Sequence, residues 1–339
     1  MAETVLVTGG SGFIGGWCIA GLLKRGYQVR ATLRSLAKEP AVRASLASAP
    51  LDGLSFFAAD LMSDAGWDDA VAGCDYVLHV ASPLGDGVAR DPNATIAAAR
   101  DGTLRVLAAA TKARVKRVVM TSAAAAARPP LSAKIASDET VWADPADRQF
   151  DAYRRSKILA ERAAWDFVTV QGCPIVLTTI LPGAVFGPVL TPEKPGSVGV
   201  IAGLLRGRPP GIPNIGLWIV DVRDLADLHI RAMTTPEAAG QRFLAAGEFL
   251  WMGDIAKILR SGLGERAAKV PTRRLPNFAV RFLSLFIRQL RALTPLLGVK
   301  NELTAAKARR VLNFAPRPAV ETILDCANSL LGGKPAEDR

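Results

Sequence analysis

The sequence feature that most constrains the fold is a glycine-rich segment at residues 8–15, TGGSGFIG. Residues 5–7 before it are apolar on both faces, as in a central parallel strand, and apolar residues recur after it at helical spacing. Glycine is needed where a strand turns tightly into a helix beneath a pyrophosphate, because it lets backbone approach phosphate and helix approach sheet. The order of strand, glycine turn and helix therefore predicts a dinucleotide-binding site.

Length and composition indicate a globular protein. The 339 residues are 50% apolar, which is enough for one large core or two linked cores. Charged residues interrupt every apolar run well before the roughly 18 residues of a membrane-spanning helix. The first predicted strand begins at residue 4, which leaves no room for a signal peptide before it. We therefore expect a soluble, cytoplasmic protein.

The net charge of +11 by itself could suggest a nucleic-acid partner. We expect none, because no helix-turn-helix, zinc finger or aromatic-bearing basic strand accompanies the charge. The four cysteines are scattered without a C-x-x-C pair, and the only histidines are His79 and His229, so we expect neither a disulfide framework nor a metal site. His79 is expected to be a hydrogen-bonded core residue and His229 an ordinary helix residue.

Positive charge is dense in the last quarter of the sequence. Residues 278–291 place apolar side chains at helical intervals together with three arginines. Such a helix either lies on a membrane surface or covers a substrate pocket, with its arginines in water or toward an anionic ligand. We favour the pocket cover, and we leave open a weak peripheral membrane contact through residues 276–297 without stable membrane insertion.

Strand-like segments alternate with helix-like segments in the first half of the chain. The strand-like segments are residues 4–8, 28–33, 54–58, 76–80, 117–121 and 175–180. This alternation is typical of βαβ units and predicts an α/β fold, a doubly wound parallel (Rossmann) sheet with helices on both faces. All strands would then end at one edge, where the ligand binds.

The pattern changes after Pro182. Prolines and glycines crowd residues 188–213, and strand-like character resumes at residues 217–222. We therefore expect an NAD(P)-binding Rossmann domain of residues 1–182 and about 217–247. A smaller, discontinuous substrate-binding subdomain would comprise about 183–216 and 248–339.

Tyr153 and Lys157 have the spacing Y-x-x-x-K in a strongly helical segment about 140 residues after the glycine turn. One helical turn apart, the phenol and the ammonium project from the same face. A neighbouring cation stabilises a phenolate and lowers the tyrosine pKa from its usual value of about 10. We therefore predict that Tyr153 is a proton donor tuned by Lys157.

These motifs together resemble the extended short-chain dehydrogenase/reductase family (the NAD-dependent epimerase/dehydratase superfamily), and within it the dihydroflavonol reductase, cinnamoyl-CoA reductase and bacterial aldehyde reductase group. The resemblance covers nearly the whole chain. It is carried by TGGSGFIG at 8–15, DL at 60–61, HVASP at 79–83, YRRSK at 153–157, PGAVFGP at 182–188 and VDVRD at 220–224.

The resemblance implies a set of cofactor contacts. It implies that Asp60 and Leu61 touch the adenine end and that Lys157 bonds the nicotinamide ribose while Tyr153 protonates the substrate oxygen. The remaining implied or expected contacts are Gly9, Gly12, Phe13, Ile14 and Gly15 at the glycine turn, Val80, Ala81 and Ser82 along the cofactor, Thr121 after the fifth strand, Pro182 and Val185 beside the nicotinamide, and Ser197 within reach of the cofactor.

The choice of cofactor is predicted from the end of the second strand. An acidic residue there would bond the ribose hydroxyls of NAD, but the sequence reads Leu33-Arg34-Ser35. A guanidinium suits the 2′-phosphate of NADP through paired, charge-assisted hydrogen bonds, and Lys38 would add a further charge. We therefore expect NADPH as the cofactor.

The chain departs from the family's pattern after the fifth strand, where it reads Thr121-Ser122-Ala123. Members of the family usually carry a serine at the position of Ala123, and its hydroxyl holds the substrate carbonyl beside the tyrosine. Either Ser122 or a shifted backbone supplies that hydrogen bond, or the chemistry is impaired. Ser122 is therefore a candidate catalytic residue.

The predicted function is NADPH-dependent reduction of a small-molecule aldehyde or ketone to the alcohol, by a monomer or homodimer. Alternatives in the same superfamily are NAD-dependent nucleotide-sugar epimerisation or dehydration and 3β-hydroxysteroid oxidation. Arg34 and the apolar, aromatic-bearing last part of the chain count against the epimerase. An alternative from another class is an NADP-binding redox sensor or scaffold without turnover, which Ala123 favours and the Tyr153–Lys157 pair disfavours.

Overall fold

The computed structural model describes residues 2–83, 91–130, 133, 135–147, 149–170, 173–190, 196–291 and 293–332. Its strands are β1 (Thr4–Thr8), β2 (Gln28–Leu33), β3 (Leu54–Ala58), β4 (Tyr76–His79), β5 (Arg117–Thr121), β6 (Val176–Pro182), β7 (Ala184–Phe186), β8 (Gly216–Asp221), β9 (Arg242–Ala245) and β10 (Phe249–Trp251).

Its α-helices are α1 (Phe13–Lys24), α2 (Glu39–Ser45), α3 (Trp67–Val71), α4 (Pro92–Lys112), α5 (Ala152–Thr169), α6 (Val198–Leu205), α7 (Val222–Thr234), α8 (Met252–Leu263), α9 (Asn277–Leu283), α10 (Arg288–Arg291), α11 (Ala306–Leu312) and α12 (Ala319–Leu330). In the part of the chain that the structure describes, no helix is both long enough and apolar enough to span a bilayer.

The central sheet has seven parallel strands in the order β3-β2-β1-β4-β5-β6-β9. The predicted doubly wound sheet is confirmed, and each of the six predicted strand segments overlaps a strand of it. β1 and β4 are neighbours at the point where the strand order reverses. Ligands bind at this switch point in open α/β sheets, and the glycine segment follows β1 there.

Helices cover both faces of this sheet, which explains why its first strand is apolar on both sides. Val5 and Val7 of β1 belong to the core beneath α1 and α7, whereas Leu6 belongs to the opposite core, beneath α4 and α5. Because successive side chains of a strand point to opposite faces, all three must be apolar.

A second, three-stranded sheet has the order β10-β8-β7, with β7 and β8 parallel and β10 antiparallel to β8. Together with α6, α8 and α12 it forms what we call the second unit, around its own core of buried residues such as Ile201, Ile255 and Ile323.

The strand-like segment predicted at 217–222 corresponds to β8, but this strand does not join the central sheet. Residues 184–186 pair with residues 219–221, so β8 lies in the second unit, while α7 and β9 pack on or pair with the central sheet. A strand pattern alone cannot tell which of two sheets a strand joins. The division of the chain into two functional domains stays a prediction.

Candidate active site

A cavity of about 530 Å³ opens at the carboxyl edge of the central sheet, between that sheet and the second unit. Its wall contains residues that end or follow β1, β2, β3, β4, β5 and β6, so the expected convergence of strand ends takes place there. Every predicted catalytic or cofactor residue except Lys38 borders it. Which of them contact a cofactor stays a prediction.

The glycine turn packs so closely against neighbouring backbone that it leaves no room for side chains at Gly9 and Gly15. Gly9 has a φ of +74°, and a Cβ on it would lie 3.0 Å from the Cα of Ala81. A Cβ on Gly15 would lie 2.3 Å from the Gly9 carbonyl oxygen. Gly12 is the N-cap of α1 and offers no side-chain cap, so the positive end of the helix dipole and its first-turn amides face the cavity.

A buried chain of hydrogen bonds holds the backbone that follows β4. The Thr8 hydroxyl accepts from the N–H groups of Val80 and Ala81 at 3.0 Å and contacts His79 Nδ1 at 3.0 Å. His79 Nε2 contacts the Thr103 hydroxyl at 3.2 Å, and that hydroxyl donates to the Ala99 carbonyl.

Because the Thr103 hydroxyl already donates, Nε2 of His79 carries the proton and Nδ1 accepts from Thr8. Burial, and then the charge of Lys157, lowers the pKa of His79 to about 3, so the ring is neutral. His79 is therefore the hydrogen-bonded core residue that the sequence predicted, and it positions the loop that borders the cavity.

The end of β2 brings Thr32, Leu33 and Arg34 to the cavity wall, and Arg34 is exposed there. Lys38 does not reach the wall. After Arg34 the chain turns into a short 3₁₀-helix, Leu36–Lys38, whose start is held by the Ser35 hydroxyl at 3.4 Å from the Ala37 nitrogen. The contribution of Lys38 to the cofactor site stays a prediction.

Asp60 and Leu61 line the cavity, together with Met62 and Trp67, which were not predicted from the sequence. The Trp67 indole donates to the carbonyls of Asp60 at 3.2 Å and Ser63 at 2.9 Å. This indole fixes the loop after β3. Its signal in the sequence was a tryptophan seven residues after Asp60, which no spacing rule identifies.

The catalytic candidates Tyr153 and Lys157 lie in the first turns of α5. The Asp151 side chain caps this helix by accepting from the Arg154 N–H at 2.8 Å. Lys157 is buried, with 5% of its surface exposed, and its ammonium donates to the Thr121 carbonyl at 3.0 Å. Tyr153 is 39% exposed.

A second buried histidine, His229, contacts Thr121, the residue that binds Lys157. Nδ1 of His229 faces the Leu225 carbonyl at 2.7 Å, so it carries the proton, and Nε2 accepts from the Thr121 hydroxyl at 2.7 Å. Burial lowers the pKa of His229 to about 4. The residue predicted to be an ordinary helix residue therefore anchors the strand end that holds Lys157.

The pKa directions at the catalytic pair differ from the expected ones. Desolvation, opposed in part by Glu161, lowers the pKa of Lys157 to about 8. Desolvation and then Asp151 raise the pKa of Tyr153, and Arg154 lowers it. The predicted lowering of the tyrosine pKa is wrong for the protein alone, because the phenol loses hydration while the lysine ammonium is directed to the Thr121 carbonyl.

Ser122 borders the cavity, but its hydroxyl points to the buried face of α5. It donates to Glu161 Oε2 at 2.6 Å, and the Thr179 hydroxyl donates to Oε1 at 2.7 Å. Arg242 completes the cluster, with its Nε 2.9 Å from Oε1 of Glu161. Both charged side chains are almost fully buried.

Arg242 joins this cluster to the loops around the cavity. Its guanidinium donates to the carbonyls of Ala126, Glu139 and Val141 and stacks on the Trp142 ring at 3.7 Å from the centroid. The sequence reasoning missed the whole cluster. Its only signal was a glutamate one turn after Lys157 and an arginine inside an apolar strand.

Ala123 lines the cavity next to Ser122 and begins a short 3₁₀-helix, Ala124–Ala127. Its backbone is extended, with φ −153° and ψ 151°, and side chains of successive residues in an extended segment point to opposite sides. The side chain on the cavity wall is therefore that of Ala123, and the hydroxyl of Ser122 points away from the cavity.

The second unit supplies the opposite side of the cavity. Gly183, Ala184 and Val185 line it, as do Gly196 and Ser197 at the start of α6. A Cβ on Gly183 would lie 2.4 Å from the Trp218 carbonyl oxygen, so this close contact between β6 and β8 requires glycine. Residues 191–195 of the predicted excursion over the substrate lie outside the described residues.

The segment of residues 278–291, which we expected to cover a substrate pocket, does not cover this cavity. None of the described residues of 276–297 lies on the wall of this cavity. Val280 turns into the core of the second unit, while six other large apolar side chains between residues 278 and 287 face outward. Helical spacing showed that the segment is amphipathic but could not show which side the protein covers.

Comparison with known proteins gives the chain its family. The family described as the NAD dependent epimerase/dehydratase family matches residues 5–246. The chain belongs to this family. The match includes the glycine turn, the three candidate catalytic residues and the central sheet from residue 5 onward, and the resemblance predicted from the sequence motifs is confirmed.

Several curated relatives of this family member are named as reductases. Cinnamoyl-CoA reductase 1 of Petunia hybrida is 36% identical over 261 residues, covering 76% of this chain and 76% of the relative. Dihydroflavonol 4-reductase of Dianthus caryophyllus is 35% identical over 280 residues, covering 80% and 76%.

A solved structure covers almost the whole of both chains. The yeast methylglyoxal/isovaleraldehyde reductase Gre2, complexed with NADPH, matches with a TM-score of 0.80 at 27% identity, over 97% of this chain and 98% of that one. The similarity to NADPH-complexed and named reductases identifies this family member as an NAD(P)-dependent oxidoreductase.

Proposed function

We propose that this protein reduces an aldehyde or ketone to the alcohol with NADPH. The observation that carries the proposal is the composition of one cavity wall. Arg34, instead of an acidic residue, ends β2 on the same wall that holds Tyr153 and Lys157 behind the glycine turn.

The residues present fit NADP. Gly15 packs against the Gly9 carbonyl oxygen without room for a Cβ, which keeps the turn tight, and the amides at the start of α1 suit a pyrophosphate. Arg34 is exposed at the wall and can pair with a 2′-phosphate through two charge-assisted bonds. Asp60 and Leu61 would border the adenine, and Lys157 the nicotinamide ribose. When bound, NADPH supplies the hydride.

The protein's own residues supply the proton for the reaction. Tyr153 would donate its phenolic proton to the oxygen of the carbonyl as negative charge develops on it. Because desolvation raises the pKa of Tyr153, the phenol is protonated near neutral pH, as a donor must be. The positive charge of Lys157 one turn away would then stabilise the phenolate that remains.

We assign Ser122 to the support of the loop and not to the carbonyl. Its hydroxyl has a charged acceptor at 2.6 Å in a buried position, and turning it toward the cavity would leave the Glu161 carboxylate without one of its donors. The wall beside Tyr153 is therefore apolar at Ala123, Ala124 and Ala125.

The apolar part of the cavity favours an aromatic or aliphatic carbonyl compound over a sugar nucleotide. We propose that residues from about 183 to 216 and from about 248 onward bind the substrate, and the support for the first stretch is that Gly183, Ala184 and Val185 line the wall. We also propose a cytoplasmic location and a monomeric or homodimeric state.

One observation favours a second candidate, an NADP-binding protein without turnover. The usual hydroxyl is replaced at Ala123, and the hydroxyl next to it is engaged by Glu161. The two candidates differ in one measurement, the oxidation of NADPH in the presence of carbonyl compounds.

The decisive experiment follows NADPH absorbance with a panel of aromatic, aliphatic and steroidal aldehydes and ketones. We expect turnover on at least one of them. Should NADPH bind tightly while the protein and its Ala123→Ser variant leave every compound unreduced, the reductase proposal is withdrawn in favour of the non-catalytic one.

A further inference from the structure

An outward-facing apolar patch lies on and just after α9. It consists of Phe278, Phe282, Leu283, Leu285, Phe286 and Ile287, all exposed. Phe278 and Phe286 keep 76% and 73% of their surface exposed. Six of the fourteen exposed large apolar residues in the described part of the chain fall within these ten positions. Exposed apolar side chains this concentrated indicate an interaction site.

Contacts within the segment and with the second unit hold the patch in place. Phe278, Phe282, Leu285 and Phe286 follow helical spacing, and the rings of Phe282 and Phe286 pack edge to face at 5.5 Å between centroids. On the opposite side Val280 and Ser284 are buried against the second unit. The Arg291 guanidinium donates to the carbonyls of Ser284 and Leu285 at 3.0 Å, which closes the turn after α9.

The segment of the chain that carries the patch bears charge of one sign. Residues 266–301 contain eight arginines and lysines and no aspartate or glutamate. Arg273, Arg274, Arg281 and Arg291 are exposed. The partner must therefore combine an apolar layer with negative charge, which is the chemistry of an anionic lipid bilayer.

A second copy of the chain is a poorer partner. A symmetric contact through the patch would bring two of these acid-free basic segments together, on two molecules that each carry a net charge of +11. The active-site cavity is not an alternative cover either, because it lies elsewhere.

We propose that the patch docks the protein peripherally on anionic bilayers, with the phenylalanines in the interface and the arginines at the headgroups. No spanning helix is needed for this contact, because an amphipathic surface segment lies in the plane of the interface. The proposal is independent of the reductase activity, since none of the patch residues borders the cavity.

The test is co-sedimentation of the full chain with vesicles of phosphatidylcholine alone or with one part in three phosphatidylglycerol. We expect sedimentation with the anionic vesicles only, and a decrease when salt is raised. Phe282→Ser/Phe286→Ser should lower the bound fraction by about fivefold or more. The matched control Val170→Ser/Leu331→Ser removes two other exposed apolar side chains and should bind like the parent. NADPH oxidation and thermal unfolding verify that each variant is folded.

Three results would overturn the proposal. The parent does not sediment with anionic vesicles; or the phenylalanine variant sediments as well as the parent; or the parent is a dimer by light scattering that the phenylalanine variant dissociates, without vesicle binding by either. The third result would assign the patch to self-association.

Discussion

The hydroxyl of Ser122 donates to the carboxylate of Glu161 at 2.6 Å, and both residues are buried. The contact ties the strand end that precedes Ala123 to the helix that carries Tyr153 and Lys157. It supports the proposal that Ser122 positions the loop beside the candidate catalytic residues, next to the alanine that lines the cavity wall.

Ser122→Ala should have little effect on catalysis and a measurable effect on stability. We expect turnover within about threefold of the parent, and a loss of about 1–3 kcal/mol in the free energy of unfolding, because a buried hydrogen bond to a charged group is removed. Steady-state kinetics and denaturant unfolding measure both. A hundredfold loss of turnover with unchanged cofactor affinity would return Ser122 to the catalytic residues.

Ala123→Ser should accelerate reduction. The new hydroxyl would stand on the cavity wall and could hydrogen-bond the carbonyl oxygen, so we expect about tenfold or more in turnover on a reactive aldehyde. Ala125→Ser is the matched control, since it also places a serine on the wall. Equal acceleration in both variants would speak against a specific carbonyl contact at position 123.

Glu161→Gln should destabilise the protein strongly. The amide keeps the shape of the carboxylate but leaves the Arg242 guanidinium buried without its counter-charge, which costs about 3–5 kcal/mol. Adding Arg242→Met should recover part of that loss, because the unpaired charge is removed. Denaturant unfolding of the two single variants and the double variant measures the coupling, and strictly additive losses would contradict an energetically coupled pair.

Arg34→Asp should change the cofactor preference. Losing one or two charge-assisted bonds of about 1.5–3 kcal/mol each should weaken NADPH binding at least tenfold and favour NADH. Lys38→Asp is the matched control, and because Lys38 does not line the cavity we expect a much smaller change. Dissociation constants of both cofactors decide the matter, and a parent protein that prefers NADH would refute the assignment.

The titration of Lys157 should make both the free energy of unfolding and the turnover depend on pH. Its pKa of about 8 lies below the unfolded value of about 10.4, so the folded protein loses this proton first and the free energy of unfolding rises between about pH 8 and pH 10. Turnover should fall in the same range, because the ammonium that stabilises the Tyr153 phenolate is lost. Lys157→Met should abolish this part of both profiles, and identical profiles in parent and variant would exclude Lys157 as their source.

Much of the site was predictable because its signals are local. The glycine turn, the apolar strands, the Tyr153–Lys157 spacing and Arg34 at a strand end are each contained in a few consecutive residues, and parallel strands must bring their ends to one edge. These signals determined the fold class, and all but Lys38 of the predicted site residues lie around one cavity.

The tertiary structure decided what depends on contacts between distant segments. Glu161 and Arg242 meet although 81 positions separate them, and only that meeting directs the hydroxyl of Ser122 away from the cavity. Burial likewise set the pKa directions of Tyr153 and Lys157, and the packing of Val280 turned Phe282 and Phe286 outward. Periodicity in a sequence predicts that a segment has two faces, but which neighbour covers a face is determined by residues far away in the chain.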